Sequence, residues 1–257
     1  MTLEGLDISI LGPAMVAGLI VLSTHVPLGR QVLSRGIIFI DLAIAQIAAL
    51  GVIAAQFVGI EEHGVGVQLA AAIAALAGAA VLAWTDRRWP KMQEPLIGTF
   101  FVLAATGGLL LLANNPQGGE HLKDLLVGQI LWVSYRQLVP AALLSLALLA
   151  FLWLRPSRLV GIVFYALFAL AITVSVQLVG VYLVFASLIV PALATAGMPA
   201  SRQLGAAYAV GVVGYATGLA LSAVFDLPSG AMIVWTLAAC ALLAQAVRTR
   251  SSLDPGR

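Results

Sequence analysis

Charge is what this sequence has least of. Only 9% of its 257 residues are Asp, Glu, Lys or Arg, where a soluble domain carries about a quarter. Lysine occurs only at Lys91 and Lys123, and neither follows the Gly-x-x-x-x-Gly pattern of a phosphate-binding loop, so an in-chain ATPase is excluded. The single cysteine, Cys240, excludes an internal disulfide and any multi-cysteine metal cluster, and fits a small apolar helix residue. His25, His63 and His121 show no His-x-x-x-His or Cys/His spacing, so no zinc site is readable from spacing. No Lys or Arg precedes Arg30; the basic start of a cleavable signal is missing, and the first apolar run is expected to be a retained helix. A net charge of +2, scattered along the chain, gives no footprint for nucleic acid.

What the chain has instead is apolar surface: 61% of residues are hydrophobic and the mean hydropathy is +1.05. About 20 apolar residues rising ~1.5 Å each cover the ~30 Å hydrocarbon core of a bilayer. Runs of this kind fall at about 8–28, 37–60, 65–85, 95–113, 137–154, 159–179, 181–197, 203–224 and 229–247. The expected fold is therefore an all-α integral membrane protein, a polytopic bundle of nine transmembrane helices, or eight if the sixth and seventh runs do not cross separately. The stretch 124–136 is too short to span and reads as an interfacial or re-entrant helix. Short loops leave no room for a soluble domain, so residues 1–257 are expected to form one transmembrane domain. No internal repeat is evident.

Placing the N-terminus outside puts Arg30, Arg35, Arg87, Arg88, Lys91, Arg155, Arg158, Arg202 and the Arg248–Arg257 tail inside, and only Lys123 and Arg136 outside. That asymmetry predicts an N-out, C-in topology.

Polar residues within apolar runs carry the functional signal. The second run, GIIFIDLAIAQIAALG from Gly36 to Gly51, holds Asp41 and Gln46. A charged carboxylate in lipid costs roughly 2.5–3.5 kcal/mol on insertion scales, so such a residue is expected to face protein, a cavity or an ion. Between Gly161 and Gly197, Gln177, Gly180, Ser187 and Pro191 interrupt an otherwise unbroken run. Broken backbone at membrane depth is tolerated only inside protein or along a wet cavity, so this reads either as a short hairpin beside a pathway or as a tight turn before a kinked helix. In SAVFDLPSGAMIV, Ser222 to Val234, Asp226 and Pro228 read as a turn, with Pro228 opening the last helix. The loop Glu61-Glu62-His63 could hold a divalent ion weakly or simply be solvated. Small residues at Ala70, Ala74 and Gly78 and at Gly211, Gly214 and Gly218 allow close helix approach, within the bundle or across a dimer.

HVPLGRQVLSRGIIFIDLAIAQIAALG, QLVGVYLVFASLIVPALATAG and SAVFDLPSGA resemble, in that order, the membrane permease of bacterial zinc/manganese ABC importers. The resemblance covers most of the chain. It implies a multi-pass permease of the bacterial inner membrane that is not itself an enzyme and holds no cofactor of its own. It further implies a homodimer, a pair of cytoplasmic ABC ATPase subunits that carry the ATP, and a periplasmic or extracellular metal-binding protein that delivers a divalent metal ion. The family places an Asp and a His four residues apart on the second helix. Here Gln46 stands at the His position and Leu42 at the Asp position, with the acid one residue earlier at Asp41. Four residues apart share a helix face, whereas five apart are ~140° apart, so Asp41 and Gln46 need not converge. An amide also suits harder cations than imidazole does. The junction Leu154–Gly161 is shorter than the family's cytoplasmic segment, so ATPase contact would use it or Thr85–Pro95. On this reading Asp41 and Gln46 line or gate the metal pathway, and Gln177 and Ser187 border it. Two other classes fit the residues: an ion-coupled secondary transporter with Asp41 as its site, and a membrane scaffold that transports nothing.

Overall fold

The computed structural model describes residues 8–60, 64–113, 126–155 and 160–253. The Glu61-Glu62-His63 loop, His121, Lys123, Asp124 and Arg158 lie outside these residues.

In lipid a segment must satisfy its own backbone, and an apolar run does so as a helix. Among the described residues, nine helices follow in order: α1 Ile8–Arg35, α2 Ile40–Phe57, α3 Val65–Arg88, α4 Gln93–Leu112, α5 Tyr135–Leu154, α6 Ile162–Val179, α7 Val181–Ala194, α8 Ala200–Phe225 and α9 Ser229–Leu253. Eight are long and apolar enough to cross a bilayer; α7 is the short one. Single 3-10 turns occupy Pro90–Met92 and Ile130–Trp132, the latter being all the regular structure described in the short stretch before α5 apart from a fragment at Leu126–Val127.

The core lies where α1, α2, α6 and α7 meet. Phe164, Tyr165, Phe168 and Tyr215 are its largest fully buried side chains. α4 and α5 lie at the edge and turn Val102, Leu103, Leu110, Leu143 and Leu146 outward. An apolar exterior is what hydrocarbon requires. Both small-residue faces are consumed inside the bundle. Gly51 of α2 faces Ala70 and Ala74 of α3, Gly214 and Gly218 face Leu237 and Ile233 of α9, and Gly211 faces Leu22 of α1.

The first helix continues well past residue 28. Pro27 lacks an N–H, so the carbonyl of Ser23 one turn back loses its intrahelical donor. The Tyr208 hydroxyl of α8 donates to that carbonyl at 2.9 Å. The helix therefore runs through the proline with its backbone satisfied. Tyr208→Phe should leave a half-buried carbonyl orphaned at a cost of about 1–3 kcal/mol. In thermal unfolding of the detergent-solubilised chain this corresponds to a drop of several degrees, at about 2–4 °C per kcal/mol for a chain of this size class. An unchanged midpoint would show that another donor replaces the tyrosine.

α6 and α7 are joined by Gly180 alone, at φ 81° and ψ 163°. The backbone of Val127 and Gly128 packs directly against it. The break expected from the sequence is present as a one-residue joint, followed by a helix that contains Pro191, and a second loop lies against it. The α8–α9 turn is also as expected. Asp226 takes the left-handed conformation at φ 53°, Ser222 Oγ donates to the Leu227 carbonyl at 2.6 Å, and the Pro228 carbonyl receives the first bond of α9 from Met232.

Candidate functional site

Asp41 is the second residue of α2, at the end of the span rather than within it. Its side chain is 1% exposed, and neither carboxylate oxygen has a hydrogen-bond partner. A buried carboxylate normally lies beside a cation or several N–H groups. Glu94, in the first turn of α4, reaches the start of the same helix. Its Oε1 accepts from the backbone N–H of Phe39 at 3.2 Å, just before α2, and its Oε2 is buried without a partner. Glu94 of α4 is thus held at the start of α2 through the N–H of Phe39, two residues before Asp41 in the chain. Nothing in the local sequence links them: the chain between Phe39 and Glu94 makes two helices first.

Gln46 lies one turn beyond Leu42 on the same face of α2. Both line a groove of about 610 Å³ between α2, α4, α7 and α9, with Phe101, Phe185, Ala186 and Trp235. Asp41 is rotated away from this face and does not line the groove. The five-residue spacing therefore separates the two side chains, as the helical angle requires.

Ser187 is fully buried and turned to the opposite side of α7. It donates to the Leu183 carbonyl at 2.6 Å, so the Tyr215 hydroxyl, 2.8 Å away, is the donor in their shared bond. Ser187 thus ties α7 to α8; its neighbours Ala186 and Val190 face the groove. Gln177 is exposed in the last turn of α6 and lies outside the groove lining.

His25 lies deep in α1 and is fully buried. Its Nδ1 faces the Val21 carbonyl at 2.9 Å and the Thr24 hydroxyl at 3.1 Å. A carbonyl only accepts, so Nδ1 carries the proton, and Nε2 presents a bare lone pair with no partner. Near the Arg35 end of α1, Gln93 joins the Leu82 carbonyl, the Thr85 hydroxyl and the Tyr165 hydroxyl at 2.9–3.1 Å, a closed polar network linking α3, α4 and α6. Glu94, Tyr215 and the Gln93 network were not signalled by sequence. The one available hint was a carboxylate opening an apolar run, in QEPLIGTFF.

The sequence model of the ABC 3 transport family matches residues 7–164 and 154–248. The chain belongs to the ABC 3 transport family. It is 28% identical over 252 residues to a manganese transport system membrane protein, MntC, of Halalkalibacterium halodurans, covering 89% of this chain and 84% of that one. It is 26% identical over 273 residues to an uncharacterized membrane protein of Synechocystis, covering 95% and 93%. Among solved structures, a chain of PsaBC from Streptococcus pneumoniae, in complex with a Fab, superposes with a TM-score of 0.75 at 20% identity, covering 95% of both chains. That likeness shows the fold: this multi-pass membrane protein shares the overall arrangement of that solved chain along nearly its whole length.

Proposed function

We propose that the chain is the permease subunit of an ABC importer for a divalent metal ion, zinc or manganese, in the bacterial inner membrane. The observation that carries this reading is the family match over most of the chain together with a buried, unpartnered carboxylate on its second helix. The manganese transport relative supports a metal cargo. Two copies of the chain form the pathway, and the groove bearing Gln46, lined mainly by apolar side chains, is where the second copy closes it. Asp41 and Gln46 act on the ion at different levels of α2, and Ser187 supports the pathway from behind by tying α7 to α8, while Gln177 stands outside the groove. ATP is hydrolysed by a separate cytoplasmic subunit pair, and an outer binding protein supplies the ion. With the N-terminus outside, the ends of α1, α3, α5 and α7 face the cytoplasm. There a cleft of about 750 Å³, lined by Arg30, Gln31, Trp153, Gly197 and Gln203, offers a docking surface beside the short Leu154–Gly161 junction.

The test is a mild-detergent pull-down of the tagged chain from cells expressing a candidate ATPase. A metal-stimulated ATPase assay of the isolated complex then follows. Co-purification of an ATPase whose rate rises with manganese or zinc and their binding protein is the expected result. A chain that purifies alone yet still moves the ion would replace this reading with an ion-coupled secondary transporter using Asp41, and one that moves nothing would leave a scaffold.

A further inference from the structure

We propose that Arg248 of α9 is a positioning residue for transport: it binds the last turn of the groove-lining helix α7 to one wall of the cleft beside Arg30, so that movement at the cleft reaches the groove. This rests on the importer reading and adds to it a residue that no motif singled out. α7 supplies Tyr182, Phe185, Ala186 and Val190 to the groove, and Pro191 follows at once. A proline has no N–H, so the Ser187 carbonyl loses its intrahelical donor and the last turn of α7 is attached by one bond fewer. The carbonyls that end a helix need partners from elsewhere. Thr195 Oγ1 donates to the carbonyls of Pro191 and Ala192 at 2.9 and 3.3 Å, and Gln245 Nε2 of α9 donates to that of Leu193 at 3.4 Å. Arg248, one turn beyond Gln245, donates from Nη1 to the carbonyls of Ala194 and Ala196, each at 3.2 Å.

Those two bonds span two regions of the molecule. Ala194 is the last residue of α7 and is fully buried, whereas Ala196 and Gly197 line the cleft of about 750 Å³ proposed above for ATPase docking. The second guanidinium nitrogen lies beside Gly197, whose φ of 77° turns the chain toward α8. Arg248 is half-buried and does not line the cleft, so it braces that wall from behind and is no part of the docking surface. A cation suits this place, because the carbonyl end of a helix carries partial negative charge. A planar guanidinium also holds two carbonyls at a set spacing, which a flexible ammonium does less well. α9 packs along α7 and gives Ala231, Val234 and Trp235 to the same groove. With its last turn weakened at Pro191 and fastened to α9, α7 follows α9 and the cleft wall as one body.

The experiment uses the complete complex of chain and co-purified ATPase in proteoliposomes, supplied with the metal-binding protein. Metal moved (manganese or zinc, whichever the wild type carries) and ATP hydrolysed are measured together. Arg248→Gln should lower the metal moved per ATP at least fivefold, while the ATPase rate and the amount of bound ATPase stay within twofold of the wild type. Arg248→Lys keeps a cation at the end of α7 and should recover at least half of the wild-type ratio. A merely structural arginine would act differently, because fewer folded complexes lower both rates together and leave their ratio alone. An unchanged ratio in Arg248→Gln, loss of the bound ATPase, or no recovery in Arg248→Lys would each overturn the proposal. Should Arg248→Gln fail to fold, hydrogen exchange on the wild-type complex decides. Exchange at the amides of Ala196 and Met198 should change at least fivefold between the nucleotide-free and ATP-trapped states, in step with the amides around Arg248. A change in one segment without the other, or in neither, overturns the coupling. A wild-type chain that brings down no ATPase would remove the importer reading and this coupling with it, whereas a working wild-type complex with an unchanged ratio in Arg248→Gln would remove only the coupling.

Discussion

Gly29→Ala should be the most damaging single-methyl change within a helix of this molecule. Gly29 is the glycine of the PLG motif, and it lies where α1 crosses α7. A Cβ at this position would fall on the carbonyl of Leu188, closer than real Cβ atoms approach any neighbour. The obstacle is backbone, so no rotamer relieves it; the two helices must separate. Both faces are close-packed at this point, with Leu28, Val32, Leu188 and Ala192 all buried. Overpacking a tight core costs about 1–3 kcal/mol, and a backbone clash belongs at the top of that range, equivalent to a midpoint lower by roughly 6–12 °C. Gly98→Ala is the control, because a Cβ there meets nothing within 4 Å. It should be neutral or slightly stabilising, since alanine is the better helix former by up to ~1 kcal/mol. Thermal unfolding of both variants in the same detergent separates a site-specific clash from a general sensitivity to added methyl groups. Equal midpoints for the two would show that α1 and α7 are not held at this distance.

The Gly29 contact also shows what could be read from the chain alone. Helix positions were legible because lipid leaves an apolar run only one way to satisfy its backbone, and each of the nine runs became a helix, although α1 runs on to Arg35 and α9 to Leu253. Helix ends were less legible. The first helix passes Pro27 only because Tyr208, 185 residues later, replaces the missing donor, and no local pattern announces such a partner. The same holds at the site. Asp41 stood out as an acid in an apolar run, but Glu94 is 55 residues from the Phe39 amide that positions it and sat in what read as a cytoplasmic loop. The small-residue faces could have met across a dimer or within one bundle; contacts at Gly51, Gly78, Gly214 and Gly218 place both within the bundle. Ser187 was visible as a polar break, whereas its bond to Tyr215 depends on how α7 and α8 cross, which composition does not encode.

Asp41→Asn should give opposite signs in two assays. In cells expressing the full importer, metal uptake should fall at least tenfold, because the amide keeps the shape of Asp41 but removes the charge that attracts a cation. That loss corresponds to about 1.4 kcal/mol at 25 °C in the rate-limiting interaction. In thermal unfolding of the purified chain, the variant should be as stable as the wild type or more so. The structure gives Asp41 no donor, so no native hydrogen bond is lost, and the desolvation cost of an isolated carboxylate disappears. A purely structural carboxylate would behave the other way round: removing one partner of a buried pair costs about 3–5 kcal/mol, and uptake would fall only as far as the amount of folded protein did. Normalising uptake to the quantity of permease in the membrane therefore separates the two roles. Wild-type uptake per molecule would remove Asp41 from the pathway, and a midpoint lower by several degrees would mean that its carboxylate is held by a partner in the folded chain. Function lost with stability kept or gained is the signature of a residue retained against its own solvation energy, which is what the proposed role of Asp41 on the pathway requires.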